Sequence, residues 1–398
     1  MIARPSLLLA TLGLALVSFA QEQCASQQIT QRWLRSNGKH IDLAQEVARM
    51  QGSTLRGGGM ETIPVVVHVV YNIPAENVPS GTITTIIDQL NADYQAQNSD
   101  YGNARAPFLD VRGDAEIEFC LADVDPDGNA TTGITRTSTT QTWFDPDTQT
   151  DDMKSAPDGI APWDTFHYLN IWICDISSGA TGGTITAGYA YLPYGDMVGS
   201  PVDGVVLDYS YGTGATNRRA THEVGHYLGL LHPWGDGGCG STDGVDDTPV
   251  TDSPTYSCSN TALMKCSVLT QYENFMDYSN CTMMFTTDQA AVMSGILNGS
   301  RSELLNGTGC SGTSGIGISE APVQQLRVLH SENAVQIEWH QSAKGQRLLV
   351  IDGAGRVAID AAPRGSSFEV PTSGLASGIY EVVLLLDGQR LVARFSVS

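Results

Sequence analysis

Three of the eight histidines in this 398-residue chain lie in one short stretch, HEVGHYLGLLH, at residues 222–232. His222 and His226 are four residues apart, so on a helix they lie one turn apart on the same face. Their imidazoles can reach one tetrahedral cation, and Glu223 beside them can accept a proton from a water held there. Gly229 tolerates a positive φ, so the chain can turn and return His232 as a third ligand. Three neutral nitrogens leave a fourth position for water, which is typical of a catalytic zinc site rather than a structural one.

The complete pattern, HExxHxxGxxH, resembles the metzincin signature of zinc peptidases. Asn274-Phe275-Met276-Asp277-Tyr278 further along the chain is similar to the Met-turn of that class. The resemblance implies that Met276 forms a hydrophobic base below the imidazoles. It also implies that the Tyr278 hydroxyl lies near the scissile carbonyl, where it would donate a hydrogen bond to the developing oxyanion.

A rival metal geometry uses a carboxylate as the third ligand. Glu273 and Asp277 fit the ExxxD spacing with which thermolysin-like enzymes supply that ligand from a second helix. However, residues 271–281 lack helical periodicity, and this geometry leaves Gly229 and His232 without a role. We therefore expect the three-histidine site.

Among metzincins, the chain is similar to the pappalysin family, including ulilysin- and mirolysin-like enzymes. The similarity rests on the Gly- and Asp-rich insert after His232, GCGSTDGVDDTP at residues 238–249, and on the cysteines that follow it. Family members bind calcium here, and clustered carboxylates on a Gly-rich loop provide hard oxygen ligands. We expect one or two structural calcium ions, and the candidate ligands are Asp243, Val245 (through its carbonyl), Asp247 and Thr248. A merely acidic loop is the alternative.

Eight cysteines in a chain that is predicted to be exported favour disulfides over thiol chemistry. The resemblance implies the bridges Cys239–Cys266 and Cys258–Cys281, although sequence alone permits three pairings of these four. Cys120 and Cys174 both lie on predicted strands, and whether they form bridges or remain buried thiols stays open.

Cys24 lies in the polar segment 21–60, which has the character of a pro-segment. In pappalysins and other metzincins, a pro-segment cysteine often occupies the open metal position and keeps the zymogen silent. The family usually has glycine after that cysteine, whereas Ala25 follows it here. A bridge between Cys24 and Cys310 is the alternative. Cleavage after Arg56, which three glycines follow, would release the pro-segment.

The side-chain preference at the cleavage point is less well defined by the resemblance. Pappalysins often favour basic side chains just after the cut, through an acidic residue near the Met-turn. Here Asn280 precedes Cys281, and the segment between the turn and the cysteine is short. The acidic character of the chain is the remaining argument for a basic preference.

The elements that must position this site predict an α/β (α+β) catalytic domain with a mixed twisted sheet and an active-site helix. Strands are expected at 63–71, 115–121, 168–176 and 204–209, since these runs are rich in buried β-branched or aromatic residues. Helices are expected at 82–94, from its 3.6-residue apolar stripe, and at 215–231. Segments 96–114 and 124–165 are predicted to be long surface loops.

The chain divides by composition into five segments. Residues 1–20 have the features of a secretory signal peptide, 21–60 form the pro-segment and 61–308 the catalytic domain. Residues 309–320 form a Gly/Ser/Thr linker, and 321–398 form a small all-β Ig-like sandwich. The last segment resembles the C-terminal sorting domain of type IX secretion, partly through Gly378-Ile379-Tyr380. An Ig-like binding module is the alternative.

Together these features predict a secreted zinc endopeptidase that is made as a zymogen and acts on proteins or peptides. A net charge of −22 argues against nucleic-acid and anionic-membrane partners. Beyond the signal peptide, no stretch approaches the ~20 apolar residues of a membrane span. We expect a monomer that meets secretion machinery through its C-terminal domain and is released or attached to the cell surface. The alternative is a secreted adhesive protein whose metal site is not catalytic.

Overall fold

A computed structural model gives the fold of the chain. It describes residues 21–51, 59–179, 184–213, 218–307, 309–310, 327–330, 334–338, 347–352, 356–363, 367–386 and 389–397. The predicted signal peptide, the Arg56 cleavage site and most of the predicted linker lie outside these residues. The chain forms two compact units, Met1–Thr313 and Ser314–Ser398. Within the described residues, no helix has the length and apolar character needed to cross a membrane.

The first unit holds the predicted pro-segment and the predicted catalytic domain. Its helices are α1 (Ser26–Ser36), α2 (Leu43–Gln51), α3 (Ser80–Tyr94), α4 (Arg219–Tyr227) and α5 (Thr287–Asn298). Its strands are β1 (Gln21–Cys24), β2 (Glu61–Tyr71), β3 (Arg112–Gly113), β4 (Ile117–Leu121), β5 (Ile134–Ser138), β6 (Leu169–Cys174), β7 (Thr184–Ala190), β8 (Val205–Asp208), β9 (Met264–Lys265), β10 (Val268–Leu269) and β11 (Phe285–Thr286). Short 3₁₀ helices span Tyr101–Asn103, Ala106–Val111, Asp152–Lys154 and Ser302–Asn306.

A seven-stranded mixed sheet forms the centre of this unit. Its order is β1-β7-β8-β6-β2-β4, and β5 also pairs with β2. Every pairing is parallel except that of β7 with β8, so β7 runs against the strands at the centre of the sheet. The mixed α/β architecture predicted from the sequence is confirmed.

The sheet is buried on both faces, which explains the unbroken β-branched run in β2. Val65, Val67 and Val69 belong to the core on the side of α3 and α4, because alternate side chains of a strand point to one face. Val66 and Val70 face the opposite way, and Val70 packs in a cluster that includes Trp172 and Phe144. The helices therefore rest on a rigid sheet, and α4 carries the candidate site on that support.

The predicted helix at 82–94 and strands at 63–71, 115–121, 168–176 and 204–209 are confirmed, with small shifts at their ends. The loop prediction for 124–165 is wrong at β5, whose polar sequence ITRTS pairs with β2 through the backbone. The loop prediction for 96–114 is wrong where the chain forms 3₁₀ turns and β3. Strand β7 and helix α5 have no counterpart among the predicted elements.

The predicted pro-segment, 21–60, is folded onto the rest of the unit where the structure describes it. Ile29 of α1 packs in the cluster around Trp172, and Leu43 and Val47 of α2 are buried in the main core. Strand β1 extends the central sheet by pairing with β7. The pro-segment therefore lies along the sheet edge that leads to α4.

The second unit contains β12 (Arg327–His330), β13 (Ala334–Glu338), β14 (Arg347–Asp352), β15 (Val357–Ala361), β16 (Ser367–Pro371), β17 (Gly378–Leu386) and β18 (Gln389–Val397). They form two antiparallel sheets, β12-β13-β16 and β15-β14-β17-β18. Both sheets contribute to one apolar cluster, which includes Ile337, Val350 and Val382. The strands agree with the all-β character predicted for 321–398, and the Ig-like classification of this segment stays a prediction.

Candidate metal centre

Helix α4 supplies His222 and His226, and its end supplies the turn that returns His232. The helix predicted at 215–231 is too long, because Arg218 is not helical and the helix stops at Tyr227. The physical reason for the early stop is Gly229, whose φ of 97° is strained for any other residue. The N–H of Leu230 donates to the carbonyl of Gly225, which closes the helix as a Schellman motif.

The three imidazoles converge on one point. The Nε2 atom of His226 lies 3.1 Å from both His222 Nε2 and His232 Nε2, and the last two atoms are 3.2 Å apart. Nitrogens bonded tetrahedrally to zinc at about 2.05 Å would be roughly 3.3 Å apart. The donor set and its spacing therefore fit a zinc ion.

The opposite ring nitrogens fix the orientation of two of these ligands. His222 Nδ1 lies 2.8 Å from the carbonyl oxygen of Phe275, and His226 Nδ1 lies 2.7 Å from that of Leu230. A carbonyl only accepts, so each Nδ1 carries the proton and each Nε2 presents its lone pair. Burial lowers the pKa of His226 to about 4 and holds that of His222 well below its usual range. Neutral imidazoles, the form that binds metal, are therefore favoured.

Glu223 lies beside the histidines and is fully buried. Its Oε2 atom accepts a hydrogen bond from the Ser26 hydroxyl at 2.8 Å and one from the Cys24 thiol at 3.1 Å. Burial raises the pKa of Glu223 to about 7, while these hydrogen bonds and the charge of Arg219 act to lower it. A carboxyl group of this kind can both take up and release a proton near neutral pH.

The 274–278 turn lies directly against the histidines. Met276 is buried, and a Cβ added at Gly225 of α4 would lie only 2.6 Å from the Met276 sulfur. The Tyr278 hydroxyl lies 3.2 Å from His232 Nε2 and also hydrogen-bonds with the backbone of Cys24. The structure thus brings Met276 and Tyr278 to the same centre as the three histidines.

Glu273 and Asp277 are engaged elsewhere, so the thermolysin-like alternative is wrong. Glu273 Oε1 forms an ion pair with Arg105 Nε at 2.6 Å. Asp277 Oδ1 accepts hydrogen bonds from the N–H groups of Thr255 and Tyr278, each at 2.7 Å. Both carboxylates hold backbone and side chains in place around the turn.

The thiol of Cys24 completes the cluster. Its Sγ atom and one nitrogen from each of His222, His226 and His232 all lie within 4.8 Å of one another. Cys24 ends β1, whose pairing with β7 carries it to this point. Four buried groups with affinity for zinc therefore meet where the end of β1 approaches α4.

Comparisons with known proteins agree with this geometry. The peptidase family model described as pregnancy-associated plasma protein-A matches residues 154–298. Mature mirolysin of Tannerella forsythia, solved with a cleaved peptide, is 36% identical, with 96% of its chain and 62% of this one covered and a TM-score of 0.57. The chain belongs to the pappalysin family. A promirolysin variant from the same organism is 33% identical, with 97% of its chain and 71% of this one covered and a TM-score of 0.61.

A curated relative extends the agreement beyond solved structures. An extracellular metalloprotease of Colletotrichum graminicola is 28% identical over 312 residues, which are 72% of this chain and 94% of the relative. This pappalysin is accordingly a metalloendopeptidase.

The insert after His232 brings three of the four calcium candidates of this pappalysin together. The Thr248 hydroxyl lies 2.7 Å from both carboxylate oxygens of Asp243 and 3.0 Å from the Val245 carbonyl oxygen. The Asp247 carboxylate accepts a hydrogen bond from the N–H of Asp288 at the start of α5. Burial raises the pKa of Asp243 to about 7. A cation bound beside this carboxyl group would lower its pKa and so favour the charged form.

The cysteines of the pappalysin insert form the pairs that the resemblance implies. Cys239 is bonded to Cys266, and Cys258 to Cys281. Cys310 is bonded to Cys120, so the alternative bridge from Cys24 to Cys310 is wrong. Cys24 and Cys174 are the free cysteines of the described residues, and both are buried.

Two residues of this site had no prediction. Ser26 contacts Glu223, and the only sequence signal is its position two residues after Cys24. Trp234 stacks on His232, with ring centres 4.4 Å apart and planes 8° from parallel, and its edge meets Tyr278. An aromatic residue two positions after a metal-binding histidine is a weak signal by itself.

Proposed function

We propose that this pappalysin is a secreted, calcium-stabilised zinc endopeptidase, made as a zymogen, that hydrolyses internal peptide bonds of proteins. One observation carries the proposal, namely the convergence of three imidazole Nε2 atoms beside a buried carboxylate and a tyrosine hydroxyl. The metalloendopeptidase activity of the family supplies the reaction class.

His222, His226 and His232 would hold the zinc ion through Nε2. Zinc supplies a Lewis acid that acidifies a water and polarises a peptide carbonyl. The hydrogen bonds of the first two Nδ1 atoms keep the rings aimed, and the stacked Trp234 restrains the third ring. These partners support a site with fixed geometry.

Glu223 is the proposed general base. Its raised pKa, about 7, suits a group that takes a proton from the attacking water and then hands it to the leaving amine. Tyr278 is the proposed oxyanion donor, because its hydroxyl lies at the rim of the histidine cluster. A preorganised donor of this kind contributes roughly 3–4 kcal/mol of transition-state stabilisation in other hydrolases.

The pro-segment is proposed to keep the enzyme silent by occupying both reactive groups. Cys24 would fill the open metal position, and the Ser26 hydroxyl engages the oxygen of Glu223 that would accept the proton. The Ser26 oxygen also accepts a hydrogen bond from Ala190 N at 2.8 Å, at the end of β7. Cleavage after Arg56 remains our proposal for the activating cut.

Calcium is proposed to bind at Asp243, the Val245 carbonyl and Thr248, with Asp247 linking the loop to α5. The convergence of three oxygen groups supports this, since hard oxygen ligands suit calcium. One or two ions would hold the insert that carries the 239–266 and 258–281 bridges.

Secretion is proposed through a signal peptide at 1–20, with the C-terminal segment 321–398 as a type IX sorting domain after a linker at 309–320. Relatives that bear the name extracellular metalloprotease support export. The catalytic domain would then span 61–308 and act as a monomer on protein or peptide substrates.

Glu223→Gln tests the proposal, because glutamine keeps the size of the side chain but cannot act as a base. We expect the activated variant to retain one zinc per chain and to lose roughly 10²–10⁴-fold in casein hydrolysis. Gln97→Glu, exposed in the loop after α3 and still present after removal of the pro-segment, is a matched control that exchanges the same two residue types away from the site. Equal hydrolysis by Glu223→Gln and wild type would overturn the mechanism. Zinc binding by a wild-type protein that cuts nothing after removal of the pro-segment would favour the adhesive alternative.

A further inference from the structure

A cavity of about 440 Å³ lies beside the metal centre. The start of α4 forms one wall, and the chain that follows Met276 forms the other. Its lining includes Arg218, Arg219, His222, Asp277, Ser279 and Asn280. Apart from the rings of Tyr211 and Phe275, the lining side chains are polar, so the cavity favours a polar side chain over an apolar one.

The cavity lies within reach of a bound peptide. His222 is both a proposed metal ligand and part of the cavity wall. Successive Cα atoms of an extended peptide are only 3.8 Å apart, so a side chain that enters here belongs to a residue flanking the scissile bond. The polar lining would therefore select that side chain by its hydrogen bonding and charge.

The two carboxylates of the lining are already engaged by donors of the protein. Both oxygens of Asp100 accept from Arg218 Nη2, at 2.8 and 3.1 Å, and Arg218 Nη1 lies 2.9 Å from Asp93. Asp277 Oδ1 accepts from the backbone N–H groups described above, and the side chain is buried. A cationic substrate side chain would have to compete with these partners.

Arg219 adds a second guanidinium to the same wall. It lies three residues before His222 and four before Glu223, so it shares their face of α4. Burial raises the pKa of Glu223, and the positive charge of Arg219 is one of the interactions that lower it. A guanidinium binds a carboxylate through two parallel hydrogen bonds, and Ser279 and Asn280 offer further donors.

We propose that this cavity receives an aspartate or glutamate side chain next to the scissile bond, and that Arg219 is the specificity-determining residue. This inference rests on the proposed endopeptidase function and names its substrate class. It is opposite in sign to the basic preference that the family resemblance suggests, and Asn280 stands where an acidic residue would be needed for that preference.

The test is a cleavage profile of the activated full-length protein on a proteome-derived peptide library, with both flanking positions read by mass spectrometry. We expect bonds flanked by Asp or Glu to be cut at least about tenfold faster than bonds flanked by Lys or Arg. Arg219→Gln should reduce that ratio about tenfold, and Arg219→Glu should invert it. Arg136→Gln, on β5 and outside the cavity, is the matched control and should leave the ratio unchanged.

The outcomes distinguish a failure of the proposed acidic specificity from a failure of the proposed endopeptidase function. Efficient cutting with no acidic preference, or with a basic one, overturns the specificity while the endopeptidase function stands. Failure of the wild-type protein to cut any peptide overturns both. The wild-type profile by itself tests the acidic preference even where an Arg219 variant does not fold. For variants that do fold, the rate of cleavage of neutral peptides serves to normalise the other rates.

Discussion

The hydroxyl of Ser26 provides the sharpest test of the proposal that segment 21–60 keeps the enzyme silent. It donates to Glu223 Oε2 at 2.8 Å and is completely buried. Ser26→Ala removes this donor while leaving Cys24 and its thiol in place. The Cys24 thiol, which donates to the same oxygen, is then the remaining block on Glu223, so the uncleaved protein should leak activity.

The size of the leak follows from the hydrogen bond. A hydrogen bond to a charged group contributes about 1.5–3 kcal/mol. Each 1.4 kcal/mol is a factor of ten, so loss of the Ser26 contact should raise the active fraction of the zymogen about 10- to 100-fold. Cys24→Ala should raise it further, because it removes the group that would occupy the metal. The double variant should exceed either single change.

The assay is hydrolysis of a quenched fluorescent casein by uncleaved protein, with intact mass measured at the end of each reaction. Ser36→Ala is the matched control, since Ser36 lies on the exposed side of α1 and its hydroxyl bonds only to Trp33 and Asn37 at the end of that helix. All variants should reach the same activity after the pro-segment is removed. If folded, uncleaved Ser26→Ala were as silent as wild type, the proposed role of Ser26 would be refuted.

Three further perturbations address the support of the site. Arg301→Leu breaks a fully buried ion pair that also holds the last carbonyl of α4, so it should lower the free energy of unfolding by about 3–5 kcal/mol. Arg347→Leu, in an exposed pair, should cost less than about 1 kcal/mol in the same denaturant titration. Asp243→Asn should abolish the rise in Tm that calcium produces after chelation, as read by calorimetry in calcium and in chelator. Burial lowers the pKa of His68 to about 4, so stability should be complete above about pH 6.5 and fall by roughly 3 kcal/mol as pH drops to 4. His68→Gln should flatten that dependence, whereas His40→Gln on the surface should not.

The metal centre was predictable because its determinants are local. The spacing of His222 and His226 needs only one turn of helix, and Gly229 marks the reversal that returns the third ligand. The long strand β2 was predictable for a similar reason, since its β-branched run fits only a strand buried on both faces. Local patterns of this kind specify their own geometry.

Features that depend on distant partners were not predictable. Strand β5 is polar apart from Ile134 and is recognisable only by its pairing with β2. The bridge from Cys120 to Cys310 joins residues 190 positions apart, and Ser26 meets Glu223 across 197. Helix α5 is a different case, because its capping box of Thr286 and Gln289 is a local signal that periodicity alone overlooks.

The identity and position of the metal test the central claim most directly. A crystal of the activated Glu223→Gln protein, measured on both sides of the zinc absorption edge, would locate the ion without turnover. We expect one anomalous peak of zinc per chain, about 2.0–2.1 Å from the Nε2 atoms of His222, His226 and His232. Protein without a stoichiometric transition metal, or a His232 ring turned away from the other two, would contradict it.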